Sequence, residues 1–256
     1  MEPVTPSLRQ NGCENCDALA KRAGLSIFTS LQSQQASDHL RTHGYAVMGG
    51  ILSDDVINLV RNSYAEAIRN AVAANPRGNR GHHRYSLGTC VPWDLGLPIV
   101  AQSAVIDALR RYFKSEDVIL ESLTGDFSLP GAEEQPMHSD ILLGKRDRED
   151  IANVIKVYYT MMDHDDINGP TRFVKGSHAR SARGEKPKEV ESILAYAPVG
   201  SAILMDLRVW HGGTANKSQF ARPMIGVHYQ GPHTKDRPMK KTLERERYEQ
   251  LTQLEQ

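Results

Sequence analysis

The chain has 256 residues, 39% of them apolar and 24% charged, and its acidic and basic side chains cancel to a formal net charge of +0. That is enough apolar material for one sizeable core or two small ones, and the charge balance speaks against a binder of nucleic acid or membrane surfaces, which needs a basic excess. A small-molecule substrate met in a local pocket is expected, with no nucleic-acid or membrane partner and a monomer or homodimer as the working unit. No apolar run approaches a membrane span, the start at Met1 lacks the basic and apolar regions of a secretion signal, and three cysteines are too sparse for a disulfide framework. These features predict a cytoplasmic protein.

Residues 1–17 are polar and contain proline, and are expected to form a poorly ordered tail. Cys13-x-x-Cys16 has no second cysteine pair to complete a zinc site, so it reads as two thiols on that tail. Ser53 predicts a helix N-cap, with Asp54 and Asp55 in the first turn where the helix dipole favours acids. Val56, Val60, Tyr64 and Ile68 then recur every four residues and predict one apolar stripe. Ser103 opens a similar pattern through Ile106, Leu109, Tyr112 and Phe113. Between these helices, 75–98 is rich in Gly, Pro, Arg and His and is expected to be a long irregular segment. From Val118 onward the texture changes to short β-type runs at 118–127, 151–162, 171–174, 193–197, 201–206 and 224–229, punctuated by turn formers. Many short strands after a helical start predict a sandwich or barrel with flanking helices. The expected organisation is a single domain over 18–233, helical to about 117 and β-rich beyond, followed by a helical tail over 234–256.

A non-haem ferrous site needs two imidazoles and a carboxylate on one side of the metal, leaving the other positions open. His-x-Asp on an extended segment suits this, because residues i and i+2 point the same way. The motif occurs twice, as His138-Ser139-Asp140 and His164-Asp165-Asp166. His164 lies in a run of turn formers and is expected in a solvated loop. His138 precedes the apolar Ile141-Leu142-Leu143, where a ligand can be aimed inward. His211, in Val209-Trp210-His211-Gly212-Gly213, is the best second imidazole, and Arg222 follows eleven positions later at the start of another strand. An arginine there can grip a dicarboxylate with its planar fork.

These blocks resemble the phytanoyl-CoA dioxygenase (PhyH-like) family of Fe(II)/2-oxoglutarate-dependent oxygenases. The resemblance runs from about Asp38 to Pro232. It takes in Leu40–Val47, Gln135–Asp140, Tyr159–Asp163, the Asn168-Gly169-Pro170-Thr171 to Gly176-Ser177-His178 block, and Trp210–Arg222. It implies a mainly β fold, a double-stranded β-helix (jelly-roll, cupin-like) core with N-terminal helices packed against it. It implies Fe(II) as cofactor, held by His138, Asp140 and His211, and 2-oxoglutarate and O2 as co-substrates, with Arg222 on the distal carboxylate. Gln135 and Thr171 match positions that contact the co-substrate, and Tyr159 one where an aromatic ring lines its pocket. Gly213 departs from relatives that carry a hydroxyl residue two past the second His, so one co-substrate hydrogen bond is missing. The implied chemistry is oxidation of an unactivated C–H bond, chiefly hydroxylation, with release of succinate and CO2.

The substrate is less legible. His83, Arg84 and Tyr85 offer an imidazole, a cation and a phenol on a candidate pocket wall, with Trp93 and Phe127 as apolar complement. A natural-product intermediate is expected in preference to an acyl-CoA, since no lysine cluster stands out for CoA phosphates. An acyl-CoA hydroxylase and a cupin-type metalloenzyme that does without 2-oxoglutarate are the competing readings. His178 is expected to be structural through a backbone hydrogen bond, and His228 and His233 to lie in a strand and a loop.

Overall fold

The computed structural model describes residues 16–88, 98–141, 154–181 and 192–232. The expected helical tail at 234–256, and Cys13, Cys90, Trp93 and His233, lie outside the described residues.

Helices dominate the first third because its apolar residues recur at helical spacing. Cys16 sits in α1 (Cys16–Arg22) and is fully buried, its thiol directed at the His164 carbonyl, so it is not a thiol on a loose tail. α2 (Ser33–His43) ends at Gly44, whose φ of 84° is left-handed. A Cβ at Gly44 would also lie 2.7 Å from His178 Nδ1, so glycine is required here twice over. α3 (Asp54–Ala74) starts as expected: the Ser53 hydroxyl accepts from the Val56 N–H at 3.4 Å. Its buried stripe is Ile57, Val60, Tyr64 and Ile68, with Val56 half-buried at the edge. α4 (Ser103–Phe113) buries Val105, Leu109, Tyr112 and Phe113. A short α5 (Ser177–Ser181) follows the sixth strand.

The strands are β1 (Ile27–Phe28), β2 (Tyr45–Met48), β3 (Arg84–Gly88), β4 (Ile119–Ser128), β5 (Val154–Thr160), β6 (Thr171–Val174), β7 (Ser192–Leu194), β8 (Ala202–Asp206), β9 (His211–Gly213) and β10 (Arg222–Gln230). They form a seven-stranded sheet in the order β1-β2-β8-β5-β10-β4-β3 and a three-stranded sheet in the order β7-β6-β9. All pairings are antiparallel except β1 with β2. This is a cupin-like jelly roll with helices on the outer face of its large sheet.

The period-two alternation of side chains divides the large sheet cleanly. Ile155, Val157 and Tyr159 of β5 and Ile225, Val227 and Tyr229 of β10 face the helices and join their apolar cluster. Val154, Tyr158, Ile203, Met205 and Met224 belong to a second cluster with Phe173 of the small sheet. The space between the sheets is therefore apolar at one end, and the functional site occupies the other. Strands β1, β2, β3 and β9 are not anticipated by alternation in the sequence. They are two to five residues long, too short to establish a period. β3 lies inside 75–98, so that segment is not irregular throughout: its residues Arg84–Ser86 pair with β4.

Candidate metal centre and co-substrate pocket

His211 opens β9, and the segment carrying His138 pairs with it as a further strand would. His138 N–H donates to the His211 carbonyl at 2.9 Å and His211 N–H returns a bond to His138 at 2.8 Å. Residues that exchange both bonds stand directly opposite, so the two rings project together, with centroids 4.5 Å apart. Asp140, two residues on, returns to the same side, and its N–H donates to the Leu207 carbonyl at 2.9 Å. The ligand atoms of His138, Asp140 and His211 all lie within 4.8 Å of one another. Asp140 carboxylate oxygens stand 3.6 Å from His138 Nε2 and 3.8 Å from His211 Nε2.

Both imidazoles are oriented by their other nitrogen. His138 Nδ1 lies 2.9 Å from the Pro136 carbonyl and His211 Nδ1 2.9 Å from the Val209 carbonyl. A carbonyl can only accept, so each Nδ1 carries the proton and each Nε2 presents a lone pair. Burial pushes His211 down to about 4, against the opposing pull of Asp140, which keeps that ring neutral at ordinary pH. Two imidazole nitrogens and one carboxylate on one side of a point fit a ferrous ion with open positions. The turn between β8 and β9 braces the set. Asp206, fully buried, pairs with Arg208 at 2.6 Å and accepts from the Arg208 backbone N–H at 2.9 Å. The carbonyl of Leu207, between them, receives Asp140.

A cavity of about 510 Å³ opens beside the three ligands, between the sheets. Arg222, at the start of β10, lines it while only 3% exposed. Its guanidinium contacts Ser128 Oγ at 3.3 Å and Met224 Sδ at 3.4 Å, and among the described residues no carboxylate lies at ion-pair distance. Burial, aided by the like charge of Arg84, lowers it to about 9. Gln135 and Thr171 line the cavity, with Gln135 Oε1 accepting from Gly213 N–H at 3.0 Å. Arg84 and Tyr85 also reach it. His83 does not: its Nδ1 is turned to the Pro130 carbonyl at 2.8 Å, and its φ of 55° marks a turn rather than the strand that follows.

Tyr159 is likewise displaced from the pocket. It is fully buried on the helix side of β5, and its neighbour Tyr158 lines the cavity instead, because one step along a strand reverses the face. Tyr158 belongs to a polar group the sequence did not reveal. Its hydroxyl donates to Asp126 Oδ2 at 2.9 Å, Lys156 Nζ reaches the same oxygen at 3.0 Å, and the ammonium lies 4.2 Å from the centre of the Tyr158 ring. Burial would raise Asp126, but Lys156 and the hydrogen bonds more than offset it and hold the carboxyl below its usual value. Ser122, Thr124 and His228 continue this lining. The signal available in the sequence was alternation: Ser122, Thr124 and Asp126 on β4 and Lys156 and Tyr158 on β5 are the i, i+2 positions of one face.

In the rival His164-x-Asp166 the acid is exposed, but the imidazole is not solvated. His164 is fully buried, its backbone paired with Ala197, and burial drives its imidazole well below the usual value. Neither ring nitrogen has a hydrogen-bond partner among the described residues. His178 is structural as expected, through the Arg41 carbonyl at 3.0 Å, and His228 sits in β10.

The profile of the family described as "Phytanoyl-CoA dioxygenase (PhyH)" matches residues 40–224. The chain belongs to this family. As a PhyH-family protein it is an Fe(II)/2-oxoglutarate-dependent oxidoreductase, with Fe(II) as its cofactor and 2-oxoglutarate as co-substrate. Solved structures share the fold at low sequence identity. AviO1 from Streptomyces viridochromogenes Tue57 superposes with a TM-score of 0.61 at 19% identity, covering 82% of this chain and 99% of that one. SnoN, a non-heme alpha ketoglutarate dependent epimerase from nogalamycin biosynthesis, superposes with a TM-score of 0.60 at 15% identity, covering 78% and 81%. ThoJ, a non-heme monooxygenase solved as a nickel complex, gives 0.58 at 16% identity, covering 77% of each chain. No helix among the described residues of this PhyH-family chain is long and apolar enough to cross a membrane.

Proposed function

We propose that His138, Asp140 and His211 hold the ferrous ion, that Arg222 receives the distal carboxylate of 2-oxoglutarate, and that the enzyme hydroxylates an unactivated C–H bond of a small polar metabolite, a natural-product intermediate rather than an acyl-CoA. The observation that carries this is one cavity holding both a convergent His-Asp-His set and a buried guanidinium with no carboxylate at ion-pair distance among the described residues. A buried charge without a counter-ion is costly, and a carboxylate ligand would relieve it. Gln135 and Thr171 line the same cavity and would orient the co-substrate.

The bound iron supplies the activation of O2 that oxidises the C–H bond while 2-oxoglutarate is converted to succinate and CO2. The protein supplies positioning. The Pro136 and Val209 carbonyls fix the imidazole tautomers, and the Asp206–Arg208 turn fixes Asp140. Polar lining by Ser122, Thr124, Asp126, Lys156, Tyr158 and His228 suits a substrate carrying hydroxyl or amine groups. The fold shared with SnoN of nogalamycin biosynthesis supports a natural-product substrate and makes epimerisation the main alternative outcome.

The test is incubation with Fe(II), 2-oxoglutarate and a panel of hydroxylated metabolites, scoring succinate and product mass. Succinate coupled to a gain of one oxygen is expected. Unchanged mass with solvent hydrogen incorporated would replace hydroxylation by epimerisation, and turnover confined to acyl-CoA would overturn the substrate class. No succinate from folded, iron-loaded protein with any of these would overturn the reading as a whole.

A further inference from the structure

Gly213 stands two residues past His211, where the family resemblance led us to expect a hydroxyl that hydrogen-bonds the co-substrate. The missing side chain has not left a void. A Cβ built on Gly213 would lie 2.5 Å from Arg84 Nη1 and 2.9 Å from Gln135 Oε1. The place is already taken by a guanidinium arriving from β3, on the opposite sheet.

Arg84 is 5% exposed and tightly aimed. Its Nε donates to the Glu133 carbonyl at 2.6 Å, and its Nη2 donates to the carbonyls of Gly213, at 3.2 Å, and Thr214. These bonds fix the plane of the fork. Nη1 has no hydrogen-bond partner among the described residues, and Arg84 lines the cavity. Burial lowers the guanidinium to about 10, which leaves it charged at neutral pH. It is close enough to Arg222 for their charges to repel. Two buried cations on one cavity, neither with a carboxylate at ion-pair distance among the described residues, are costly unless an anion bridges them.

We propose that Arg84 is a second co-substrate anchor: its Nη1 takes over the hydrogen bond that a hydroxyl at position 213 would make, and with Arg222 it clamps the distal carboxylate of 2-oxoglutarate. Gly213 is small because this guanidinium needs the room. The proposal rests on the assignment of Arg222 to 2-oxoglutarate made above.

The test compares two ligands that share a keto-acid end, 2-oxoglutarate and 2-oxobutanoate, the second lacking the distal carboxylate. Binding to Fe(II)-loaded protein is followed without O2 by the visible charge-transfer band, with no turnover required. Arg84→Gln is expected to weaken 2-oxoglutarate about 10- to 100-fold, the range of one charge-assisted hydrogen bond, and to leave 2-oxobutanoate unchanged. Adding Gly213→Ser to Arg84→Gln should recover part of the loss by restoring a hydroxyl. Gly213→Ala alone should weaken 2-oxoglutarate by displacing Nη1, and it carries the test if Arg84→Gln does not fold. Equal loss for both ligands would make Arg84 merely structural, and an unchanged 2-oxoglutarate affinity in Arg84→Gln and in Gly213→Ala would also overturn the proposal. If Arg222→Met loses 2-oxoglutarate while Arg84→Gln keeps it, only this proposal fails. If the wild type binds neither ligand, or Arg222→Met binds 2-oxoglutarate normally, the reading beneath it fails as well.

Discussion

Replacing Arg222 by methionine should make the ligand-free protein more stable and the co-substrate complex weaker. In the folded chain burial lowers this guanidinium from its ordinary value to about 9. It is still charged at pH 7, in the folded and unfolded states alike, so the whole electrostatic penalty is carried there. At about 1.4 kcal/mol per unit the penalty has a ceiling of about 5 kcal/mol. Methionine keeps most of the apolar stem and forfeits only the contacts to Ser128 Oγ and Met224 Sδ, at 3.3 and 3.4 Å, each worth about 1 kcal/mol. A net gain of roughly 1–3 kcal/mol remains, or a rise in Tm of about 2–10 °C for a chain of this size. A bound carboxylate reverses the balance, since breaking a buried charge pair costs about 2–5 kcal/mol of affinity, or roughly 30- to 5000-fold in Kd. Thermal melts with and without saturating 2-oxoglutarate, with Mn(II) as a redox-silent metal, read both effects at once. The wild type should gain several degrees from the ligand, while Arg222→Met should start higher and gain clearly less. A variant that melts several degrees lower and still responds fully to 2-oxoglutarate would refute the argument and make Arg222 a structural residue.

Asp206→Ala should cost about 3–5 kcal/mol, because Arg208, itself only 3% exposed, loses its buried carboxylate, and iron affinity should fall with it since this turn also holds Asp140. Replacing Asp206 and Arg208 together by Leu and Met should restore most of the Tm, and a double variant as unstable as the single one would contradict this. The metal-free protein should lose stability as pH falls from about 6.5 toward 4, because burial holds His211, and burial with His43 beside it holds His39, at about 4, so the unfolded chain takes up those protons first. Melts across that range should show a loss at least as steep with metal bound, since a ligated imidazole cannot take up the proton either, and a flat metal-free profile down to pH 5 would count against the reasoning. Gly226→Ala should cost about 1–3 kcal/mol and disturb the Lys156–Asp126 pair, since its Cβ would lie 2.8 Å from Lys156 Cε and 2.6 Å from Thr124 Oγ1; unaltered Tm and substrate KM would exclude that crowding.

The parts of the fold legible in the sequence were those with enough length to show a period. α3 announced itself by Ser53 and a four-residue apolar repeat, and β4, β5, β8 and β10 by β-rich runs. β2 and β9 are too short for that, and only their pairing makes them strands: Tyr45–Met48 against β8, and His211–Gly213 against β6 and His138. The candidate iron ligands, which the fold brings within 4.8 Å of one another, could be singled out because their spacing is tied to chemistry, His-x-Asp on one segment and an imidazole eleven residues before an arginine. Residues named from neighbouring motif positions fared unevenly. Tyr159 missed the pocket by a single step along β5, and His83 by one position before β3 begins. His164 was misjudged because a run of turn formers speaks for a loop but not for the exposure of each residue in it; Asp166 and Ile167 are exposed, while the imidazole of His164 is fully buried.

What a linear reading could not show is why two glycines face the inside of the barrel. Each is explained by a cation that approaches it from another strand. Lys156 leans from β5 over Gly226 of β10 to reach Asp126 on β4, as the register of the three strands requires. Arg84 comes from β3 in the large sheet to rest against Gly213 in the small one. The difference between them is the partner. Lys156 meets Asp126 at 3.0 Å and is neutralised within the protein, while Arg84 and Arg222 meet carbonyls, a hydroxyl and a thioether and retain their charge. The cavity thus has one end already paired and one end awaiting an anion. On our reading the co-substrate belongs at the awaiting end, and the substrate faces a wall whose hydrogen bonds are largely committed. Ser122 and His228, which share a hydrogen bond at 3.1 Å, and Thr124, which donates to the Gly226 carbonyl at 3.1 Å, line that wall along β4 and β10, and substitutions there should change substrate preference while leaving 2-oxoglutarate affinity intact.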